Sequence, residues 1–340
     1  MRTGKVVVLG GTGFIGQAFV PLLLQRGYRV TVVSRQLRAG NLPRAGVEFV
    51  RGAVGDAECM RRVIPGADVV CHLAPGGGET WAEFERDYIH ATRTIATACL
   101  EHGVQRLVYA SSIAALYLGS GGSMQEDRGT DPKPLRRSQY SRAKGAAEAV
   151  LKEFQKQDLP VVILRPGVVV GRGGPLNHGG LGQFPADTCC LAWGGGNTPL
   201  PFVLAEDVAQ AFLGAVEAPG IEGKSFNLAG DVCLSAREFV KIVAERSHRN
   251  FRFYPQSLVK MQLLDIGKWI LKVIARKPDN SFPSFRDLKS RTLRTHLDCS
   301  AAKRDLGWRP NDSLEVFLRE TIDANLPEIP PGDLRLAHAQ

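Results

Sequence analysis

The chain has 340 residues, 44% hydrophobic and 23% charged, which excludes a disordered or fibrous protein and allows one large core or two lobes. No apolar run approaches the roughly 18 to 20 residues that cross a bilayer, and the opening VVVL is too short for a secretion signal, so a cytoplasmic protein without stable membrane insertion is expected. A net charge of +9 would suit nucleic acid, an anionic membrane surface or phosphorylated ligands; no basic arm, zinc finger or aromatic-basic signature accompanies it, so no nucleic-acid partner is expected. Seven cysteines without a CxxC pair read as reduced thiols, with no metal site.

In chain order, KVVVLG (5–10) predicts a first strand and Ile15 to Arg26 its helix, ended by Gly27. Further strands are predicted at YRVTVVS, VEFVRG, DVVCHLA, RLVYASS and PVVILRP, with helices from about Trp81 to His102 and from Tyr140 through Gln157. Short β-branched runs alternating with helical patterns describe an α/β protein whose parallel sheet is covered by helices. The alternation breaks at GRGGPLNHGGLGQF and returns with LAEDVAQAFLGAVE as a helix and KSFNLAG as a strand expected to rejoin the sheet. Residues 232 to 325 look mainly helical, with Ser235 as N-cap before AREFVKIVAER. The expected division is therefore a sheet domain over 1–170, rejoined by 202–230, a smaller discontinuous substrate lobe from 171–201 and 231–325, and a loose tail over 326–340.

One stretch in the second lobe, LVKMQLLDIGKWILKVIARK, is amphipathic: Val259, Leu263, Ile266, Ile270 and Val273 share a helical face, with Lys260, Asp265, Lys268, Lys272 and Arg276 on much of the other. Packing over a substrate cleft is the expected role, and peripheral membrane or partner association through 258–277 is the alternative.

GGTGFIG places Gly10, Gly13 and Gly16 directly between the first strand and its helix, with Thr12, Phe14 and Ile15 among them. A loop there must turn tightly, admit a pyrophosphate and pack helix on strand, and the helix N-terminus attracts the anion; this is the dinucleotide-binding, doubly wound Rossmann arrangement. At the end of the second strand, where an acidic residue would hold the ribose of NAD, stand Ser34 and Arg35. Arginine suits a 2′-phosphate, so NADP is favoured over NAD.

Tyr140 and Lys144 fall on one helical face four residues apart, the only such pair in the chain. A phenol is a weak acid or base at neutral pH, and a nearby ammonium favours its phenolate. Ser112, at the end of the fifth strand, could hold a substrate oxygen against the Tyr140 hydroxyl. His178, in the glycine-rich loop, reads as a plain loop histidine with substrate contact as the alternative.

GGTGFIG, YASS, YSRAK and RPG in this order, with FVLAEDVAQAF and AAKRDLGWRP after them, resemble the extended short-chain dehydrogenase/reductase family, the NAD-dependent epimerase/dehydratase superfamily. The resemblance implies Ser112 rather than Ser111, Tyr140 and Lys144 as catalytic residues. It implies cofactor contacts from Leu73 and Ala74 after the fourth strand and from Pro166 and Gly167 after the sixth, with Lys144 reaching the nicotinamide ribose. A homodimer is the family's expected assembly. Three departures stand out: Ala53 follows Gly52 where the family carries Asp, with Asp56 further on; Pro75 and three glycines follow Ala74; and Tyr88 occupies an Asn position.

The reaction is narrowed by what is missing. Ile113 and Ala114 stand where dehydratases carry an acidic pair, and PLPFV lacks the arginine that grips a nucleotide-sugar diphosphate. The C-terminal part is more similar to the 3β-hydroxysteroid dehydrogenase and dihydroflavonol-reductase-like branches. The expectation is alcohol/ketone oxidoreduction on a small hydrophobic substrate, ahead of nucleotide-sugar epimerisation and of a non-catalytic NAD(P)-binding regulatory or assembly protein.

Overall fold

A computed structural model of the chain describes residues 4–36, 40, 42–276 and 282–326. The core element is a seven-stranded sheet of β1 (Lys5–Leu9), β2 (Arg29–Ser34), β3 (Val47–Arg51), β4 (Val69–His72), β5 (Arg106–Ala110), β6 (Val161–Pro166) and β7 (Ser225–Leu228). Every neighbouring pair is parallel, and the spatial order is 3-2-1-4-5-6-7. This is the Rossmann order, and it reverses between β1 and β4.

The sheet is buried on both faces, which explains why its strands are runs of β-branched and aliphatic residues without polar alternation. Val6, Val7, Val8 and Leu9 have no exposed surface. On one face α1 (Phe14–Gln25) lies beside α6 (Ala205–Glu217), joined by Phe19 and Phe212 at 5.6 Å between ring centroids. On the other face lie α2 (Ala57–Val63), the helix that begins as α3 (Trp81–Phe84) and ends as α4 (Ala91–Glu101), and α5 (Gln139–Gln155). Each fully buried Val or Leu in these layers contributes roughly 1.5–3 kcal/mol, so the two faces hold the sheet rigid.

Most elements match the sequence reading to within a residue or two, and KSFNLAG does rejoin the sheet, as β7 against β6. Two details differ. The short helix α2 was not expected; Asp56 starts it by accepting the backbone N–H of Glu58 at 3.0 Å. The helix predicted from Trp81 is interrupted by a π-helical turn over Glu85–His90.

Outside the large sheet, Gly182–Ala186, Cys189–Ala192 and Arg252–Tyr254 form a small three-stranded sheet. Segments before and after β7 thus share one small sheet. Then follow α7 (Ala236–Ser247), capped by Ser235 and Glu238 in a reciprocal box, α8 (Leu258–Ile274) and α9 (Phe285–Arg291). The C-terminal α10 (Ser300–Asp305) and α11 (Leu314–Thr321) close the described chain. Trp308 docks this end by donating its indole N–H to the Asp207 carbonyl at 2.7 Å, so the FVLAEDVAQAF and LGW motifs are two halves of one contact.

The amphipathic stretch does form a helix, α8, and it overturns the expectation that its apolar face covers the cleft. Met261 is its only fully buried residue, whereas Val259, Leu263, Ile270 and Val273 are exposed. Residue 277, and 327–340 of the expected tail, lie outside the described residues.

Candidate active site

The glycine loop leaves β1 at the carboxyl edge of the sheet, beside the β1/β4 reversal, where open α/β sheets place ligands. Gly10 has φ +83°, and a side chain there would put Cβ 2.4 Å from the Ala74 Cα. At Gly16 a Cβ would lie 2.2 Å from the Gly11 carbonyl oxygen, so glycine is what lets α1 sit tightly on the loop. Gly13 caps α1 without a side-chain hydrogen bond, and the first-turn N–H groups of Phe14, Ile15 and Gly16, which have no carbonyl partner within the helix, suit an anion. The residues present therefore fit a dinucleotide pyrophosphate. Ser34 and Arg35 follow Val33, whose carbonyl accepts the Gly10 N–H at 2.8 Å, so the end of β2 runs beside the loop; Arg35 is exposed, and the Ser34 hydroxyl donates to the Gln36 carbonyl.

Over the same edge opens a cavity of about 760 Å3. Of the residues singled out in the sequence, it brings together Ile15, Leu73, Ala74, Ser112, Tyr140, Lys144, Pro166 and Gly167. The loop residues Gly10, Thr12, Gly13, Phe14 and Gly16, and Ser34 and Arg35 beside them, are not among the residues that line it.

Ser112 and Tyr140 lie together in the cavity wall, close enough for the serine hydroxyl to act on the phenol. Although 39% of Tyr140 stays exposed, enough protein surrounds its hydroxyl that burial raises the phenol pKa, opposed by the Ser112 hydroxyl. Lys144 is buried, donates to the Ala110 carbonyl at 2.7 Å, and lies 5.0 Å from the ring centres of both Tyr88 and Tyr109. Burial pulls its ammonium down to about 7, against the charge of Glu148. The neighbouring serine is used otherwise: Ser111 donates to Glu148 at 2.5 Å.

A family model described as NAD dependent epimerase/dehydratase family matches residues 6–229. The chain belongs to that family. Among curated relatives, the 2-alkyl-3-oxoalkanoate reductase of Stenotrophomonas maltophilia is 26% identical over 331 residues, covering 93% of this chain and 97% of that protein. The mouse decarboxylating sterol-4-alpha-carboxylate 3-dehydrogenase is 23% identical over 343 residues, 95% of this chain and 91% of its own. Among solved structures, the UDP-glucuronic acid 4-epimerase of Bacillus cereus in complex with NAD superposes with a TM-score of 0.71 at 20% identity, covering 94% of this chain and 98% of that one. At that identity the likeness concerns the fold.

The departures from the family pattern have local explanations. Tyr88, on the π-helical turn, donates to the Gly76 carbonyl at 2.8 Å and stacks with Phe84, so it ties down the glycines that follow Pro75. Gly76 needs to be small there, since a Cβ would meet Asp87 Cβ at 2.8 Å. Asp56 is engaged as the cap of α2.

Two polar groups around the site escaped the sequence reading. Arg165 and Glu148 form a fully buried bidentate pair at 3.0 and 2.7 Å, with Arg165 also donating to the carbonyls of Glu126 and Arg128. It joins β6, α5 and the segment before α5 beneath Lys144. Glu148 lies one further turn along the Tyr140 and Lys144 face, and that four-residue spacing was the available signal. At the start of α5, Asp287 of α9 accepts the Ser138 N–H at 2.9 Å and the Arg137 Nε–H at 3.1 Å, which fixes the turn that carries Tyr140. No local signal announces this contact.

His178 does line the cavity; its Nδ1 accepts the Gly180 N–H at 2.9 Å, so a neutral ring carries its proton on Nε2. Burial lowers its pKa, which favours that neutral form.

Proposed function

We propose that this chain is an NAD(P)-dependent oxidoreductase that interconverts an alcohol and a ketone on a small apolar substrate. The observation that carries the reading is the meeting of Ser112, Tyr140 and buried Lys144 in the wall of one cavity, which Phe84, Tyr88, Leu118, Val169, Trp193 and Leu293 also line. Such a wall suits an apolar body with one polar reacting centre. The bound nicotinamide supplies or accepts the hydride.

In the reductive direction Tyr140, held protonated by its raised pKa, gives its proton to the substrate oxygen as the carbonyl carbon receives hydride. Ser112 orients that oxygen. Its Oγ already accepts the Ala114 N–H at 3.1 Å, which leaves the hydroxyl proton to donate. A protonated Lys144 stabilises the phenolate left behind. Residues 171–201 and 231–325 form the substrate lobe in this reading, and Arg35 selects the 2′-phosphate of NADP.

The test follows NADPH absorbance across ketones, alcohols and nucleotide sugars. Tyr140→Phe is expected to lower kcat by about 10²- to 10⁴-fold while cofactor affinity is unchanged, and a fully active variant overturns the assignment. Nucleotide-sugar interconversion without net NADPH consumption would establish the epimerase reading instead. Arg35→Asp is expected to shift the NADPH-to-NADH affinity ratio by about tenfold toward NADH, since one charged contact to phosphate is lost. Tighter NADH binding by the unaltered chain would sink the NADP preference.

A further inference from the structure

Helix α8 carries its apolar side chains outward. Its inner side rests on the protein through Met261, which packs with Trp193 and Leu288, and through Trp269, which meets Phe282 edge-on at 5.2 Å. The opposite side presents Val259, Leu263, Leu264, Ile270, Leu271 and Ile274, each between 46% and 73% exposed. Water-exposed helices carry polar residues on that side, and a contiguous apolar face of this kind marks a surface that another phase or molecule covers.

Charge and position indicate which. By helical spacing Lys260 stands within the outward face and Lys268 at its edge, with Lys272 and Arg276 further round the helix, against one acid, Asp265, which pairs with Lys268 at 3.5 Å. In a symmetric dimer this patch would meet itself and bring the two sets of cations together; anionic headgroups would neutralise them. Beside α8 a cleft of about 330 Å3, lined in part by Asp265, Phe282 and Leu288, adjoins the main cavity. Arg137, Trp193, Asp287 and Arg291 line both spaces.

We propose that α8 docks this protein on an anionic lipid surface, with its outward face in the bilayer boundary and its cations at the headgroups. Docked so, the protein sits at the phase in which an apolar substrate is concentrated. Among the described residues no helix is long and apolar enough to cross a membrane, so the association is peripheral.

Vesicle sedimentation of the full chain tests this without relying on turnover. The unaltered protein is expected to pellet with phosphatidylcholine vesicles containing one-third phosphatidylglycerol at least about tenfold more than with phosphatidylcholine alone, and to lose that preference in high salt. L264D/L271D, at exposed positions that the fold does not use, should lose at least about tenfold of the binding, with an unchanged melting temperature. K268E/K272E should erase the preference for anionic lipid. Failure of the unaltered chain to pellet overturns the proposal, as does pelleting indifferent to both variants. A concentration-dependent dimer that L264D/L271D disperses, without lipid binding, would assign the face to a second copy instead.

Discussion

Residues 10–16 bring backbone to the site: tight glycines and first-turn N–H groups from one uninterrupted stretch of chain. The far wall of the cavity is made of side chains, with Phe84, Tyr88, His178, Trp193 and Leu293 arriving from well-separated parts of the sequence. The two ends therefore answer to substitution differently. A loop built from backbone is intolerant of a single added methyl group, because the atoms it would strike cannot rotate away. A wall built from side chains can change its chemistry one residue at a time, and that is how one fold serves many substrates.

The largest effect is expected beneath both ends, at the Glu148–Arg165 pair. Glu148→Gln leaves the Arg165 guanidinium buried without a carboxylate, a loss of about 3–5 kcal/mol measurable by denaturant unfolding. Because the Glu148 charge opposes the depression of Lys144, the same variant should move the lysine's titration lower still. Unchanged stability would break the view that one buried pair supports both regions.

Gly16→Ala probes the cofactor end. Its Cβ would press on the Gly11 carbonyl, and overpacking of that kind costs about 1–3 kcal/mol. The expected signature is weaker dinucleotide binding in a direct titration, with substrate KM unaltered at saturating cofactor. A variant that binds cofactor normally would show that the loop has more slack than its geometry implies.

Asp287→Asn probes the substrate end and should give the smallest effect. Asp287 accepts from Ser138, Arg137 and Arg291, the last at 2.8 Å, and weakening these charged bonds should raise substrate KM by about tenfold with cofactor affinity intact. An equal loss at both ends would mean that the two regions are coupled more tightly than their construction suggests.

Much of the cofactor end was legible because its determinants are local. β-branched strands, glycines at three-residue spacing and a Tyr/Lys pair one turn apart each express a rule that operates within a few residues. The choice between Ser111 and Ser112 rested on family resemblance; in the structure both line the cavity, and the Ser111 hydroxyl is engaged with Glu148. The helix α2 was missed because it spans only 7 residues and owes its start to one capping carboxylate, too short a segment for periodicity to register.

By itself, then, the sequence determined the strand and helix pattern, the glycine loop, and that α8 would be an amphipathic helix. Tertiary structure decided which partners the buried charges found, as in Glu148 with Arg165 and Asp287 with Arg137, since these contacts join residues brought together by the sheet and the segments packed on it. It also decided which way α8 faces. Periodicity reveals that a helix has an apolar side, but what that side meets depends on surfaces distant in the chain, and here Trp193 and Leu288 receive Met261 and Leu258 while the broader apolar face points outward.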